Sequence, residues 1–128
     1  MATFSTNLVI YTHTDFEQTF LLEDNQSNSA KDLTGFTGTC QMARSLNRAS
    51  GGVRSFNVSF TNRLLGKIRI GMTAAETAQH PPDKYFYELM LTDPDGKVEK
   101  VIEGIAIVKQ PVTWPSPAPE NPFDEQVP

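Results

Sequence analysis

The residues of this sequence best suited to chemistry are two histidines, one cysteine and a scatter of carboxylates. His13 is followed at period-two offsets by Asp15 and Glu17, so the three would share one face near a strand end, where they could hold a divalent cation. Neither His13 nor His80 opens an HxxxH, HxH or HEXXH pattern that sets two ligands side by side, and a loop histidine beside acids is ordinarily a solvated pair. No metal site is expected. Cys40 has Thr39, Gln41 and Met42 as neighbours, a plain strand setting that lacks the positive charge needed to stabilise a thiolate, and this predicts a small buried hydrophobe. As the single cysteine it cannot form an internal disulfide, which suits a reducing compartment.

Other short patterns are weaker still. Asp93-Pro94-Asp95-Gly96 resembles the start of a calcium loop, but Lys97 follows and no bidentate carboxylate stands downstream at the required position, so it reads as a turn. Asn57-Val58-Ser59 matches a glycosylation sequon inside a strand pattern. There is no GxSxG elbow, and Gly51-Gly52 alone does not make a phosphate-cradling loop. The sequence therefore predicts a protein that is not an enzyme and takes no cofactor.

The elements that would carry these residues are strands. Apolar and polar residues alternate most cleanly at Phe56, Val58 and Phe60, with Asn57, Ser59 and Thr61 between them. The same reading predicts strands at Leu8–Thr12, Thr19–Glu23, Phe36–Arg44, Lys67–Gly71, Lys84–Thr92 and Lys97–Lys109, the last broken into two if Gly104 marks a bulge. Turn formers separate them at Asp24–Ser29, Arg48–Gly52 and Asp93–Gly96, the last a hairpin. Thr73 and Glu76 form a capping box at the start of one short crossover helix, which Pro81-Pro82 stops. Many short strands, one brief helix and no βαβ rhythm predict an all-β, immunoglobulin-like antiparallel β-sandwich over residues 1–110.

From Pro111 the composition changes: six of the last eighteen residues are proline. That forbids helix and central strand and favours an extended polyproline II arm over residues 111–128. Val112, Trp114 and Phe123 are its large side chains, spaced to anchor the arm on a neighbouring protein. In Lys84–Thr92, Tyr85, Tyr87, Leu89 and Leu91 fall on one face as core, while Phe86 and Met90 fall on the other around Glu88. Either the short helix or a loop covers Phe86 and Met90, or they belong to an interface between proteins. The candidate partner-binding residues are thus Phe86, Met90, Val112, Trp114 and Phe123.

A net charge of −4 with eleven scattered Lys and Arg argues against nucleic acid as a partner. No apolar run has the roughly 20 residues a membrane helix needs, and the N-terminus lacks the pattern of a signal peptide, so a soluble protein made in the cytoplasm is expected.

Three segments together resemble a family of small structural proteins of tailed phages. Asp32-Leu33-Thr34-Gly35-Phe36, continuing to Gln41-Met42-Ala43-Arg44, is similar to the paired strands that open N-terminal immunoglobulin-like domains of phage fibre and baseplate proteins. Gly66–Ala74 resembles a shortened form of that family's next segment, and Tyr85–Leu89, Asp95-Gly96-Lys97 and Glu103–Thr113 resemble its ending. The resemblance spans most of residues 4–113 and implies a virion structural module, made in the host cytoplasm and acting by protein–protein binding. Its partners would be other virion proteins and copies of itself, as a homo-oligomer in the particle. Because no distal fibre portion follows the domain, it implies a tail, neck or baseplate connector or fibre adaptor. A capsid decoration protein is the first alternative, and a carbohydrate-binding module using Tyr11, Tyr85, Tyr87 and Trp114 is the second.

Overall fold

The computed structural model describes residues 3–24, 29–44 and 53–112. These residues form ten strands, one short α-helix and one 3-10 turn at Arg63–Leu65: β1 Phe4–Ser5, β2 Leu8–Tyr11, β3 Phe16–Leu21, β4 Glu23–Asp24, β5 Ser29–Ala30, β6 Thr37–Ala43, β7 Arg54–Asn62, β8 Lys67–Met72, α1 Ala74–Thr77, β9 Asp83–Thr92 and β10 Val98–Lys109. Eight strands form one curled sheet in the order β1-β10-β9-β6-β7-β8-β3, with β2 also on β10; β4 and β5 make a separate ribbon. The mainly-β content and the single short α-helix among the described residues agree with the sequence reading.

The sheet is mixed where the sequence predicted antiparallel pairing alone. β1 and β2 both run parallel to β10, through Phe4 opposite Ile102 and Leu8 opposite Ala106. Alternation identifies a strand but carries no sign of its partner's direction, and the first and last strands meet only through the tertiary fold. β7 joins the two parts of the sheet. Its start pairs with β6 (Phe56 opposite Cys40) and its later residues pair with β8 (Val58 opposite Ile70), so one long strand turns the sheet around a common core.

That core comes from the inward rows. Ile10, Cys40, Ile68, Ile70, Tyr85, Leu89 and Ile102 are fully buried, with Phe16, Phe36, Val58 and Phe60 packed partly against them. Leu33 joins them from a loop. Asp32 Oδ1 accepts from the backbone N–H and the hydroxyl of Thr34 (2.9 and 2.6 Å), and Gly35 takes a φ of +79° that relieves the turn. Arg63 fastens the loop. Its Nη1 donates to the carbonyls of Leu33 and Phe36 (2.9 and 2.7 Å), and its guanidinium lies 4.0 Å from the centroid of the Phe60 ring.

The capping box is present, with Glu76 N–H donating to Thr73 Oγ1 at 3.2 Å and Thr73 N–H to Glu76 Oε1 at 2.8 Å. α1 ends at Thr77, before Pro81-Pro82, so the prolines follow the helix instead of stopping it. At the predicted hairpin, Asp93 Oδ1 accepts from the N–H groups of Asp95 and Lys97 (2.9 and 2.8 Å), and Gly96 has a φ of +91°. The Asp93 carboxylate is therefore a turn staple.

β10 is not broken at Gly104. The register shift falls between Lys100 and Ile102, where Val101 and Ile102 are both buried although adjacent. Gly104 has a different cause: a Cβ there would lie 1.9 Å from the carbonyl oxygen of Thr6, which crosses the strand between β1 and β2. Tyr87 donates its hydroxyl to the same oxygen at 2.5 Å, and Thr6 N–H donates to Glu103 O at 3.0 Å.

Candidate partner-binding surface

β9 separates its two faces as its alternation requires. Tyr85, Tyr87, Leu89 and Leu91 point into the core, and Phe86, Glu88 and Met90 point outward. The cross-strand partners of Phe86 are Ala43 on β6 and Ile105 on β10. One row further along, Ile107 on β10 stands opposite Val9 on β2. Phe86, Ile107 and Val9 are 41%, 37% and 46% exposed, so a band of large apolar side chains crosses three strands on the outside of the sheet. Isolated exposed apolar residues are ordinary, but a contiguous band of this kind is a feature of interaction surfaces.

Beside the band runs a charged row. Lys100 Nζ lies 3.1 Å from Glu103 and 3.5 Å from Glu88. The hydrogen bond and charge of Glu103, with the charge of Glu88 behind them, raise the ammonium's pKa above its ordinary value. Two carboxylates around one ammonium leave the row net negative. Between the row and Phe86 is a concavity of about 370 Å³, lined by Ala43, Val53, Phe86 and Ile105 together with Gln41, Glu88, Lys100 and Glu103. This trough combines apolar and charged side chains in its lining.

α1 does not cover this surface. It docks elsewhere: Ala74 N–H donates to Asp15 Oδ1 (2.8 Å), Thr77 Oγ1 to Thr14 O (2.8 Å), and Asn57 Nδ2 to Glu76 Oε1 (2.8 Å). Of the five residues predicted to bind partners, Phe86 is exposed in the trough and Met90 is half-buried on the same face between Thr39 and Lys100. Val112, fully exposed, is not part of the trough lining. Trp114 and Phe123, and the predicted arm from residue 113 onward, lie outside the described residues. Val9, Ile105 and Ile107 were missed, although the run Ile105-Ala106-Ile107-Val108 is apolar on both faces and carried the signal.

The other chemically able residues go to separate structural tasks. His13 sits in a turn with a φ of +65°, Nδ1 3.2 Å from Thr12 Oγ1; Asp15 receives the N–H of Ala74, and Glu17 pairs with Arg69 at 3.1 Å. His13 therefore does not extend the strand that carries Glu17. Cys40 is fully buried, and burial, helped by the charge of Glu88, pushes its thiol up to about 12, which makes it a poor nucleophile. Tyr85 and Tyr87 are core residues and offer no ring to a sugar.

His80 is nearly buried, and its Nδ1 accepts from Arg54 Nε at 2.7 Å, an arrangement only an unprotonated Nδ1 permits. Burial first, then the charge of Arg54, lowers its pKa, while Glu76 opposes the shift. The unfolded chain binds a proton near the ordinary value of 6.5 and the folded chain only at lower pH, so stability is lost as pH falls from about that value. Glu76 and Asp32, held below 4.5 and 3.8 by hydrogen bonds from Thr73 and Thr34, lose their contributions only at lower pH. Melting temperature should drop between about pH 7.5 and about pH 5.5, and His80→Gln should flatten that part of the profile. An equal drop in the variant would assign the effect to other groups.

No known family model matches the chain, and no curated protein matches its sequence.

Proposed function

We propose that this chain is an immunoglobulin-like structural module of a tailed-phage particle, a connector or fibre adaptor of tail, neck or baseplate that acts by binding other proteins. The observation that carries the binding role is the apolar band of Phe86, Ile105, Ile107 and Val9 with its trough, on the outer face of strands whose inner face already supplies the core. The immunoglobulin-like reading is supported by three features of the curled sheet. The first strands run parallel to the last, β7 passes from one part of the sheet to the other, and Tyr85 at the start of β9 donates its hydroxyl back to Pro81 O at 2.7 Å. Such a tyrosine corner is a hallmark of that sandwich. The virion assignment is supported by the resemblance of Asp32–Phe36, Gly66–Ala74 and Glu103–Thr113 to phage modules.

Immunogold labelling of purified particles tests the assignment. Label on tail, neck or baseplate is expected; label over the head would replace it with capsid decoration, and particles without label would refute it. The surface is tested separately with Phe86→Lys. This exposed substitution should change stability by no more than about 0.5 kcal/mol while abolishing incorporation into particles. Incorporation at the unmodified level would remove the trough from the binding role.

A further inference from the structure

Among the described residues β3 ends the sheet, and its pairing with β8 shows which of its backbone groups are left open there. Leu22 N–H donates to Gly66 O at 2.9 Å, continuing the ladder in which Phe20 faces Ile68, Gln18 faces Ile70 and Phe16 faces Met72. Hydrogen-bonded pairs alternate along an antiparallel ladder, so the even-numbered residues bond to β8 and the N–H and C=O groups of Glu17, Thr19 and Leu21 point away from it. A second observation agrees: Thr19 O accepts from the Gln18 side-chain amide at 3.2 Å, a local donor on an edge acceptor. Gln18 is exposed although its partner Ile70 is fully buried, so the sheet is uncovered along this seam.

Such an edge is complementary to another extended strand. It holds no proline or lysine to blunt pairing, and its single charge is Glu17. We propose that β3 joins antiparallel to the β3 of a second copy, with the two-fold axis at Thr19. That register engages all three outward residues: Thr19 faces Thr19, and Glu17 faces Leu21 of the second copy. Together they exchange about six backbone hydrogen bonds. No other register does as well. Moving the axis to Glu17 sets two carboxylates opposite each other, and moving it to Leu21 leaves Glu17 beyond the pairing.

The outer face is complementary in charge. Lys67 is the cross-strand partner of Leu21, so across the seam the row reads Lys67, Leu21 and then Glu17 of the second copy: cation, apolar, anion. On the inner face Gln18 meets Phe20 and Phe16 meets Leu22, which extends the core row across the seam. In the dimer the Gln18 amide gives up Thr19 O to a backbone N–H. Threonine pairs directly across antiparallel strands are favourable, and a symmetric threonine at the axis suits this position.

Sedimentation velocity through the micromolar range and cysteine cross-linking test the proposal on the full chain. The unmodified protein should show a concentration-dependent monomer–dimer equilibrium. Thr19→Lys should leave it monomeric, with an unchanged melting temperature at concentrations where the unmodified protein is also monomeric, and Thr19→Pro should do the same, since the proline removes only an outward N–H. Thr19→Cys should form a disulfide-linked dimer under mild oxidation, because residues opposed in a hydrogen-bonded pair lie about 5.5 Å apart at Cα. Glu17→Cys alone should cross-link poorly, but should cross-link when mixed with Leu21→Cys. A protein monomeric throughout that range, or a dimer that survives Thr19→Lys, would overturn the proposal. β3 lies at the opposite end of the sheet from β10, and Phe86→Lys should not change the dimer, so failure here and failure of the Phe86 surface are separable.

Discussion

Gly104→Ala is expected to destabilise the fold by about 3 kcal/mol or more, near the upper end for an overpacked site. The added methyl would sit 1.9 Å from Thr6 O and 2.8 Å from Thr6 C, and both are backbone atoms that cannot rotate aside. The chain at Thr6 must lift off β10. That breaks Thr6 N–H to Glu103 O and Tyr87 Oη to Thr6 O, and strains the 3.0 Å bond from Ile105 N–H to Asn7 Oδ1. The Tyr87 hydroxyl would then be stranded in a partly buried position, adding roughly 1–3 kcal/mol for an unmade hydrogen bond. Denaturant unfolding gives the magnitude, and amide exchange along residues 4–11 gives the place. Gly96→Ala is the control: its φ of +91° strains any side chain, but a Cβ there meets nothing within 4 Å, so about 1–2 kcal/mol is expected. Equal losses in the two variants would mean that the crossing at Thr6 is not what requires glycine.

Tyr85→Ala should cost about 3–5 kcal/mol, the range for emptying a buried aromatic site. The ring is fully buried, and the guanidinium groups of Arg44 and Arg54 approach its face at 5.6 and 5.8 Å. Against a total stability of about 5–15 kcal/mol that is a third or more of the margin in many cases. Tyr85→Phe keeps the ring and removes only the hydroxyl bonded to Pro81 O, so it should cost about 1 kcal/mol. The pair separates packing from cornering. If Tyr85→Phe approached the alanine loss, the bond to Pro81 would be holding the whole α1 crossover in place.

Much of this architecture was legible in the residues. Alternation in Lys84–Thr92 sorted Tyr85, Tyr87, Leu89 and Leu91 from Phe86 and Met90, and Thr73 with Glu76 announced the helix. β3 was read too late, from Thr19, because Glu17-Gln18 interrupts the alternation. The physical reason is its place at the edge, where an inward-pointing Gln18 still reaches water. A bulge at Gly104 stays open as an alternative in the sequence because a close approach by Thr6 leaves no trace there, while the true irregularity at Val101 is written as two adjacent apolar residues. The partner-binding surface was half visible. Phe86 was found from its own strand, but Val9 and Ile107 come beside it only through the parallel pairing of β2 with β10, which no periodicity reports.

That pairing also orders events in time. Residues 4–11 find their partners at 102–109, nearly a whole domain later in synthesis, whereas β9 and β10 close locally through the Asp93–Gly96 turn. As the chain leaves the ribosome, its first strands wait without a template until the last strand emerges, and the sheet is completed only after translation of this domain is essentially over. An uncharged Leu8-Val9-Ile10-Tyr11 segment kept waiting is the stretch most exposed to mispairing, and the cell's chaperones would meet it first.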